Sequence, residues 1–270
     1  MPHEFSRMEM LIGSSSLKRL ASASAAVFGL GGVGAQAALA LARSGVGRLF
    51  LIDSDSVSLT NINRQAIAFH STIGQPKTAV LKEMIRDICP RIQVVTYEEF
   101  VLPENAENLF SQISRELCGA PLTYILDAVD TVSAKLALAA YAYENQISIL
   151  SAMGTGNKLR PELLRISDIK ETSVCPLCRV MRRELKARRI PSLKVCWSPE
   201  PPLTPGDPEP EEAAASPARR SIPGSTAFVP PAAGLLMAAE AVRDICGLQP
   251  PSAPAHECAD TLSPHSKGAL

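Results

Sequence analysis

The 270-residue sequence carries no net charge: Lys and Arg total 27, and Asp and Glu also total 27. That excludes a cationic coat over the whole chain, though not a local basic patch. No uncharged apolar run reaches the roughly 18 residues of a membrane span. The opening Met1-Pro2-His3-Glu4 lacks a cationic segment leading into an apolar run, so no secretory signal is expected. The seven cysteines form an odd set spread over a long chain. They fit a reducing compartment better than a disulfide framework, and a cytoplasmic location is expected. No internal repeat is present. There is also no G-x-x-x-x-G-K-[ST], which excludes a Walker-type γ-phosphate site. Apolar residues make up 46% of the chain and charged residues 20%, enough for a sizeable core.

Residues 1 to about 170 alternate short apolar runs with longer helical patterns. Strands are expected at Ala25–Gly29, Arg48–Ile52, Ile92–Tyr97, Thr123–Asp127 and Ile147–Leu150. Helices are expected at Val33–Ala42, from Pro76 as first residue, at Glu104–Leu117 and over 132–144. Val80, Leu81, Met84, Ile85 and Ile88 form an inward stripe on the second of these, and Leu109, Phe110, Ile113 and Leu117 on the third. This order predicts an α/β fold, a doubly wound and mostly parallel sheet with helices on both faces. It is followed by a C-terminal extension and a flexible crossover loop. The expected organisation is an α/β domain over 1–170, a basic helix with a Cys-containing segment over 171–198, a flexible loop over 199–224, a packing segment over 225–248 and a disordered tail over 249–270. The loop holds eight prolines in 26 positions and almost no core-forming residues. Within the packing segment, Ala232–Ile245 reads as a helix interrupted by Gly234.

Gly29-Leu30-Gly31-Gly32-Val33-Gly34 contains G-x-G-x-x-G between a strand and a helix. One glycine makes the tight turn, one admits a phosphate against bare backbone, and one lets helix and sheet approach. The helix start offers free N–H groups to an anion. Asp53 ends the next strand, 19 residues after Gly34, where a carboxylate can accept hydrogen bonds from ribose hydroxyls. The turn alone would favour a dinucleotide-dependent oxidoreductase.

Three further segments change the ligand: Leu59–Gln65, Gly74–Lys77 and Leu126–Asp130. In a doubly wound sheet these loops converge on one crevice at the carboxyl ends of the strands. Arg64 offers a planar fork for phosphate oxygens and Lys77 a point charge. Asp130 is suited to a hard cation such as Mg²⁺. A hydride-transfer enzyme needs no such clamp, whereas a reaction expelling pyrophosphate does.

Together, Gly29–Gly34, Asp53–Asp55, Asn61–Gln65, Gly74–Lys77 and Asp127–Asp130 resemble the ThiF/MoeB/HesA adenylyltransferases, relatives of the ubiquitin-activating enzymes. The resemblance covers about residues 5–170 and implies that the 1–170 unit is an ATP-binding adenylation domain. It implies that ATP lies between Gly31 and Gly32 at its phosphates and Asp53 at its ribose. Asn61, Arg64 and Lys77 would hold phosphates and Asp130 the magnesium. Gly29, Gly34, Asp55 and Asn63 complete the implied nucleotide-binding set, and Arg64, Lys77 and Asp130 are the implied catalytic groups. Family members are commonly homodimers, in which an N-terminal Arg, here Arg7, reaches the partner's ATP.

Phe5–Gly13, Ser151–Lys158, Thr172–Pro176 and Gly224–Pro230 are most similar to the branch of tRNA threonylcarbamoyladenosine dehydratases. That branch implies ATP activation of the threonyl carboxylate of a modified adenosine in the anticodon loop, ring closure by the neighbouring ureido group, and release of AMP. An adenylyltransferase for a ubiquitin-like sulfur carrier is the alternative, and a sulfur-relay protein is a possible partner. A tRNA partner calls for a basic surface. Arg179 to Arg189 supplies six cations in eleven residues, with Val180, Met181, Leu185 and Ala187 expected inward.

Cys175-Pro176-Leu177-Cys178 is a CxxC without a second pair, although a zinc site could still recruit Cys196 and Cys246. Buried thiols are the expected outcome. Cys196 is not expected to be catalytic, because the ring-closing nucleophile belongs to the substrate. His70 is assigned no role.

Overall fold

The computed structural model describes residues 2–206 and 223–248. Seven strands form one sheet: β1 (Ser24–Phe28), β2 (Arg48–Ile52), β3 (Gln93–Tyr97), β4 (Tyr124–Asp127), β5 (Ser148–Ala152), β6 (Arg165–Asp168) and β7 (Lys194–Trp197). Their order is β3-β2-β1-β4-β5-β7-β6. Every pairing is parallel except the antiparallel β6–β7 edge. The helices are α1 (Ser6–Ser22), α2 (Gly34–Arg43), α3 (Lys77–Ile88), α4 (Pro103–Leu117), α5 (Val132–Glu144), α6 (Pro176–Ala187) and α7 (Val229–Cys246).

Both faces of the central strands are buried, which is why they read as continuous apolar runs rather than alternating ones. Ala25, Val27, Leu49 and Leu51 face the layer of α2, α3 and α7. Ala26, Phe28, Phe50 and Ile52 face the layer of α4 and α5. There Phe110 stacks flat on Tyr141 with ring centroids 3.7 Å apart. A third cluster, including Met181, Leu185, Val195 and Trp197, packs α6 against the β7 end of the sheet.

The α/β architecture is the one expected, and the five expected strands and four expected helices are present. Pro76 is not the first helical residue. Its ψ of 131° keeps it extended as the N-cap of α3, where it forms a bridge with Ser56. Gly234 does not interrupt the C-terminal helix, because α7 runs unbroken through it. A Cβ there would lie 2.3 Å from the Val33 carbonyl oxygen, so this glycine lets α7 lie against α2. The segment over 171–198 is continuous with the sheet, since β7 pairs with β5. The stretch 207–222 of the expected loop and the expected tail over 249–270 lie outside the described residues.

Candidate functional site

The carboxyl ends of β1, β2, β4 and β5 face one crevice. Gly29 turns the chain out of β1 with φ +83°, a conformation that disfavours side chains, and a Cβ there would lie 2.7 Å from the Ala128 carbonyl oxygen. A Cβ on Gly34 would strike the Gly29 carbonyl oxygen, so the start of α2 can close on the turn only as glycine. A Cβ on Gly32 would lie 2.9 Å from Pro230 and 3.3 Å from the Arg64 carbonyl oxygen, which packs the Arg64 segment and α7 onto the turn. Gly31 differs: its nearest neighbour would be Gln65 Nε2, 3.8 Å away. Bare backbone is thus available there for a phosphate. Beside it, Gln65 Oε1 is buried without a hydrogen-bond partner among the described residues. Open backbone next to an orphaned acceptor fits a bound polar ligand such as ATP.

The Asp53 carboxylate accepts the Leu30 N–H of the glycine turn at 2.5 Å and the Asp55 N–H at 2.8 Å. Burial nevertheless raises its carboxyl above the ordinary value, against the opposing pull of Lys77 and the two amides. Lys77 Nζ is buried, 2.7 Å from Asp55 Oδ2 and 3.9 Å from Asp53 Oδ1. Asp55 therefore orients the lysine. Arg64 Nη1 donates to the Thr60 carbonyl at 2.6 Å and to Asn63 Oδ1 at 3.0 Å. Asn61 Oδ1 accepts the Ser58 N–H at 3.1 Å, capping the Leu59–Asn61 turn that carries Arg64. Asn63 Nδ2 donates to the Ser225 carbonyl at 3.1 Å, tying this segment to the approach to α7.

Asp130 is exposed just beyond β4 and accepts the Thr131 hydroxyl at 3.3 Å. Beneath it lies a buried network for which no role was expected. Lys135 Nζ donates to Asp127 Oδ2 at 3.1 Å, to Ser151 Oγ at 3.3 Å and to the Ala152 carbonyl at 2.6 Å. Asp127 Oδ1 also accepts the Val129 N–H at 3.2 Å. The pair thus shapes the turn that presents Asp130 and joins it to the end of β5. The sequence shows only a lone lysine in the Ala- and Leu-rich stretch of α5, with nothing local to say what it faces.

Arg7 is exposed on the first turn of α1. Its neighbour Phe5 packs by Gly45, just before β2, and Glu4 pairs with Arg91, just before β3. The structure thus separates Arg7 from its own crevice by the length of the sheet. The other expected residues, Gly29 to Gly34, Asp53, Asp55, Asn61, Asn63, Arg64, Lys77 and Asp130, border the crevice.

The basic helix differs in part from expectation. Met181 and Leu185 are buried, but Val180 is half-buried and Ala187 exposed; Cys178 takes the third inward position. Arg182 turns back to donate to the Thr172 carbonyl at 2.9 Å and to the Thr172 hydroxyl. Arg183 and Arg188 each approach Glu184 within 2.9 Å. Cys196 is fully buried in β7, and burial pushes its thiol up to about 12. Cys196 and Cys246 belong to the α2–α7 core, whereas Cys175 and Cys178 pack under α6. Among the described residues no group of three His, Cys, Asp or Glu side chains is placed to hold a metal. No helix among them is long and apolar enough to cross a membrane.

Residues 5–266 match the ThiF family. The tRNA threonylcarbamoyladenosine dehydratase of Bacillus subtilis (strain 168) is 38% identical over 250 residues, covering 91% of this chain and 95% of its own length. The enzyme of the same name from Escherichia coli (strain K12) is 37% identical over 177 residues, 66% of this chain and 63% of its length. The crystal structure of the E. coli tRNA N6-threonylcarbamoyladenosine dehydratase in complex with ATP superposes with a TM-score of 0.78 at 30% identity, covering 90% of this chain and 94% of that one.

Proposed function

The chain belongs to the ThiF family, and on that premise we propose that it is an ATP-dependent tRNA threonylcarbamoyladenosine dehydratase. It adenylates the threonyl carboxylate of the modified adenosine, the neighbouring ureido group closes the ring, and AMP leaves. The net change is loss of one water from the nucleoside. The observation that carries this reading is the convergence of Asp53, Lys77 and the open Gly31 backbone at one strand end. Near-complete coverage by dehydratases of known name supports it.

Each residue then has a physical task. Asp53 accepts hydrogen bonds from the ribose hydroxyls. The amides at Gly31 and Gly32 border the phosphates, and Arg64 and Lys77 offset the charge that grows on the leaving pyrophosphate. Asp130 supplies a hard oxygen ligand for Mg²⁺, which would neutralise phosphate charge. Holding carboxylate and α-phosphorus in line supplies much of the acceleration. The protein works in the cytoplasm, where tRNA is. We take it as a homodimer, supported by the exposure of Met10 and Leu11 on α1 and of Leu235 and Leu236 on the adjacent α7. Arg7 then serves the partner's crevice.

The test is mass spectrometry of tRNA nucleosides after incubation with enzyme, ATP and Mg²⁺. The threonylcarbamoyl nucleoside should lose one water with wild type. Asp130→Ala should slow this by on the order of 10²–10³-fold while leaving the fold intact. An unchanged nucleoside with wild-type enzyme rejects the function, and wild-type turnover in the variant rejects the residue.

A further inference from the structure

The CxxC at the start of α6 has no task in adenylation or ring closure, and its setting is unlike that of the other described cysteines. Cys175 is the N-cap of α6, with extended torsions of φ −66° and ψ 118°, and Cys178 lies three residues on in the first turn. Side chains three apart on a helix are neighbours, with Cβ atoms about 5–6 Å apart. A disulfide needs about 3.5–4.5 Å. Because Cys175 lies outside the helical torsions, it can close that gap without unwinding α6.

Both cysteines are buried at the helix start and belong to the one apolar cluster under α6. The neighbouring Cys178 thiol is the largest influence holding the Cys175 thiol below its ordinary value. The positive end of α6 acts in the same sense. By contrast, burial raises the thiols of Cys196 and Cys246.

We propose that Cys175 and Cys178 are a reversible oxidation site, a dithiol that hydrogen peroxide converts to a disulfide across the first turn of α6. The Cys175 thiolate attacks one peroxide oxygen. An S–O bond forms, the O–O bond breaks, and hydroxide leaves, so sulfur gives up two electrons and peroxide takes them. The Cys178 sulfur then attacks the sulfur of the Cys175 sulfenic acid. The S–S bond forms, and the expelled hydroxyl departs as water with the Cys178 proton. In sum, two thiols and one peroxide give one disulfide and two waters.

Burial selects the oxidant. Cys175 is 4% exposed, beneath the exposed Ser173, Val174 and Pro176, and Cys178 is 0% exposed. A molecule the size of hydrogen peroxide can reach the outer sulfur, whereas a bulky disulfide such as oxidised glutathione is held off. The consequence reaches the crevice through the loop after β5. Met153 packs in the same cluster as the two cysteines, and the loop it begins carries Asn157, which binds Leu203 and Gly224 on the two sides of the crossover. Closing the disulfide draws the two side chains together, repacks that cluster against Met153 and loosens the loop.

Trypsin places both thiols in one peptide, Glu171–Arg179. Reduced full-length protein treated with hydrogen peroxide should yield this peptide two hydrogens lighter and closed to alkylation. Dithiothreitol should restore it. Cys178→Ser should leave a sulfenic acid on Cys175 that dimedone traps. Amide hydrogen exchange over 153–158 should quicken in the oxidised protein. Exposed Cys118 is the internal standard. If the peptide still takes two alkyl groups after peroxide has consumed the Cys118 thiol, or if Cys175 passes to sulfinic acid with no disulfide, the site is refuted. Oxidation by glutathione disulfide as fast as by peroxide would refute the assignment of the oxidant.

Discussion

Asp53 illustrates how one side chain can serve two needs in conflict. In the role proposed for it, Asp53 must be charged to hold a ribose, yet burial favours its protonated form. The folded protein therefore takes up a proton at Asp53 at a higher pH than the unfolded chain does. This residue's contribution to stability is fully present below the ordinary aspartate range and is lost as pH rises through the raised value. Nucleotide binding follows the opposite sign: ATP affinity, measured by calorimetry, should fall on acidification from a pH above the ordinary aspartate range. Asp53→Asn should bind weakly with that step removed; an unchanged acid limb would dissociate the step from Asp53. The Lys135–Asp127 pair is a second residue-scale case. Lys135→Met should lower stability by about 3–5 kcal/mol, because it strands a buried carboxylate. Lys135→Met with Asp127→Asn should recover much of that loss in denaturant titrations. That Asp53, Arg64, Lys77 and Asp130 would border one crevice was legible in the sequence because they sit at strand and loop ends with fixed spacings. Lys135 was not, because only folding puts its ammonium under the β4–β5 crevice.

Among the elements, α6 departs most from its sequence pattern. Six cations in eleven residues read as one surface, but Arg182 hydrogen-bonds Thr172 and Glu184 partly offsets Arg183 and Arg188. Arg182→Ala should therefore destabilise the fold by about 1–3 kcal/mol, the cost of leaving buried acceptors unpaired. Paired replacement of the exposed Arg179 and Lys186 by Ala should instead weaken tRNA binding and flatten its salt dependence. Equal tRNA affinity for wild type and this double variant would remove α6 from the tRNA surface. The helix α7 teaches a related lesson. Gly234 reads as a break by propensity, yet the close approach of α2 makes it the residue on which the packing depends.

At the scale of the whole molecule, the role proposed for Arg7 requires two chains. It lies at the amino-terminal edge of the sheet, whereas Asp130 lies at the carboxyl-terminal edge. Arg7→Ala and Asp130→Ala should each be nearly inactive alone. After subunit exchange the mixture should regain part of the activity, because one mixed crevice carries both residues intact. No recovery in a mixture shown by native mass spectrometry to contain mixed dimers would mean that Arg7 does not act in trans.

The sequence by itself determined the parallel sheet, the glycine turn and the line of charged groups along strand ends. Local chemistry suffices for these: apolar runs buried on both faces, glycine where a side chain collides, and loops that a doubly wound topology must gather. Only the tertiary structure decided what each charge faces. It paired Lys77 with Asp55, sank Lys135 beneath Asp127, turned Arg182 inward and buried Cys175 and Cys178 in one cluster under α6. Those outcomes depend on distances between segments far apart in the chain, which packing sets and local pattern does not carry.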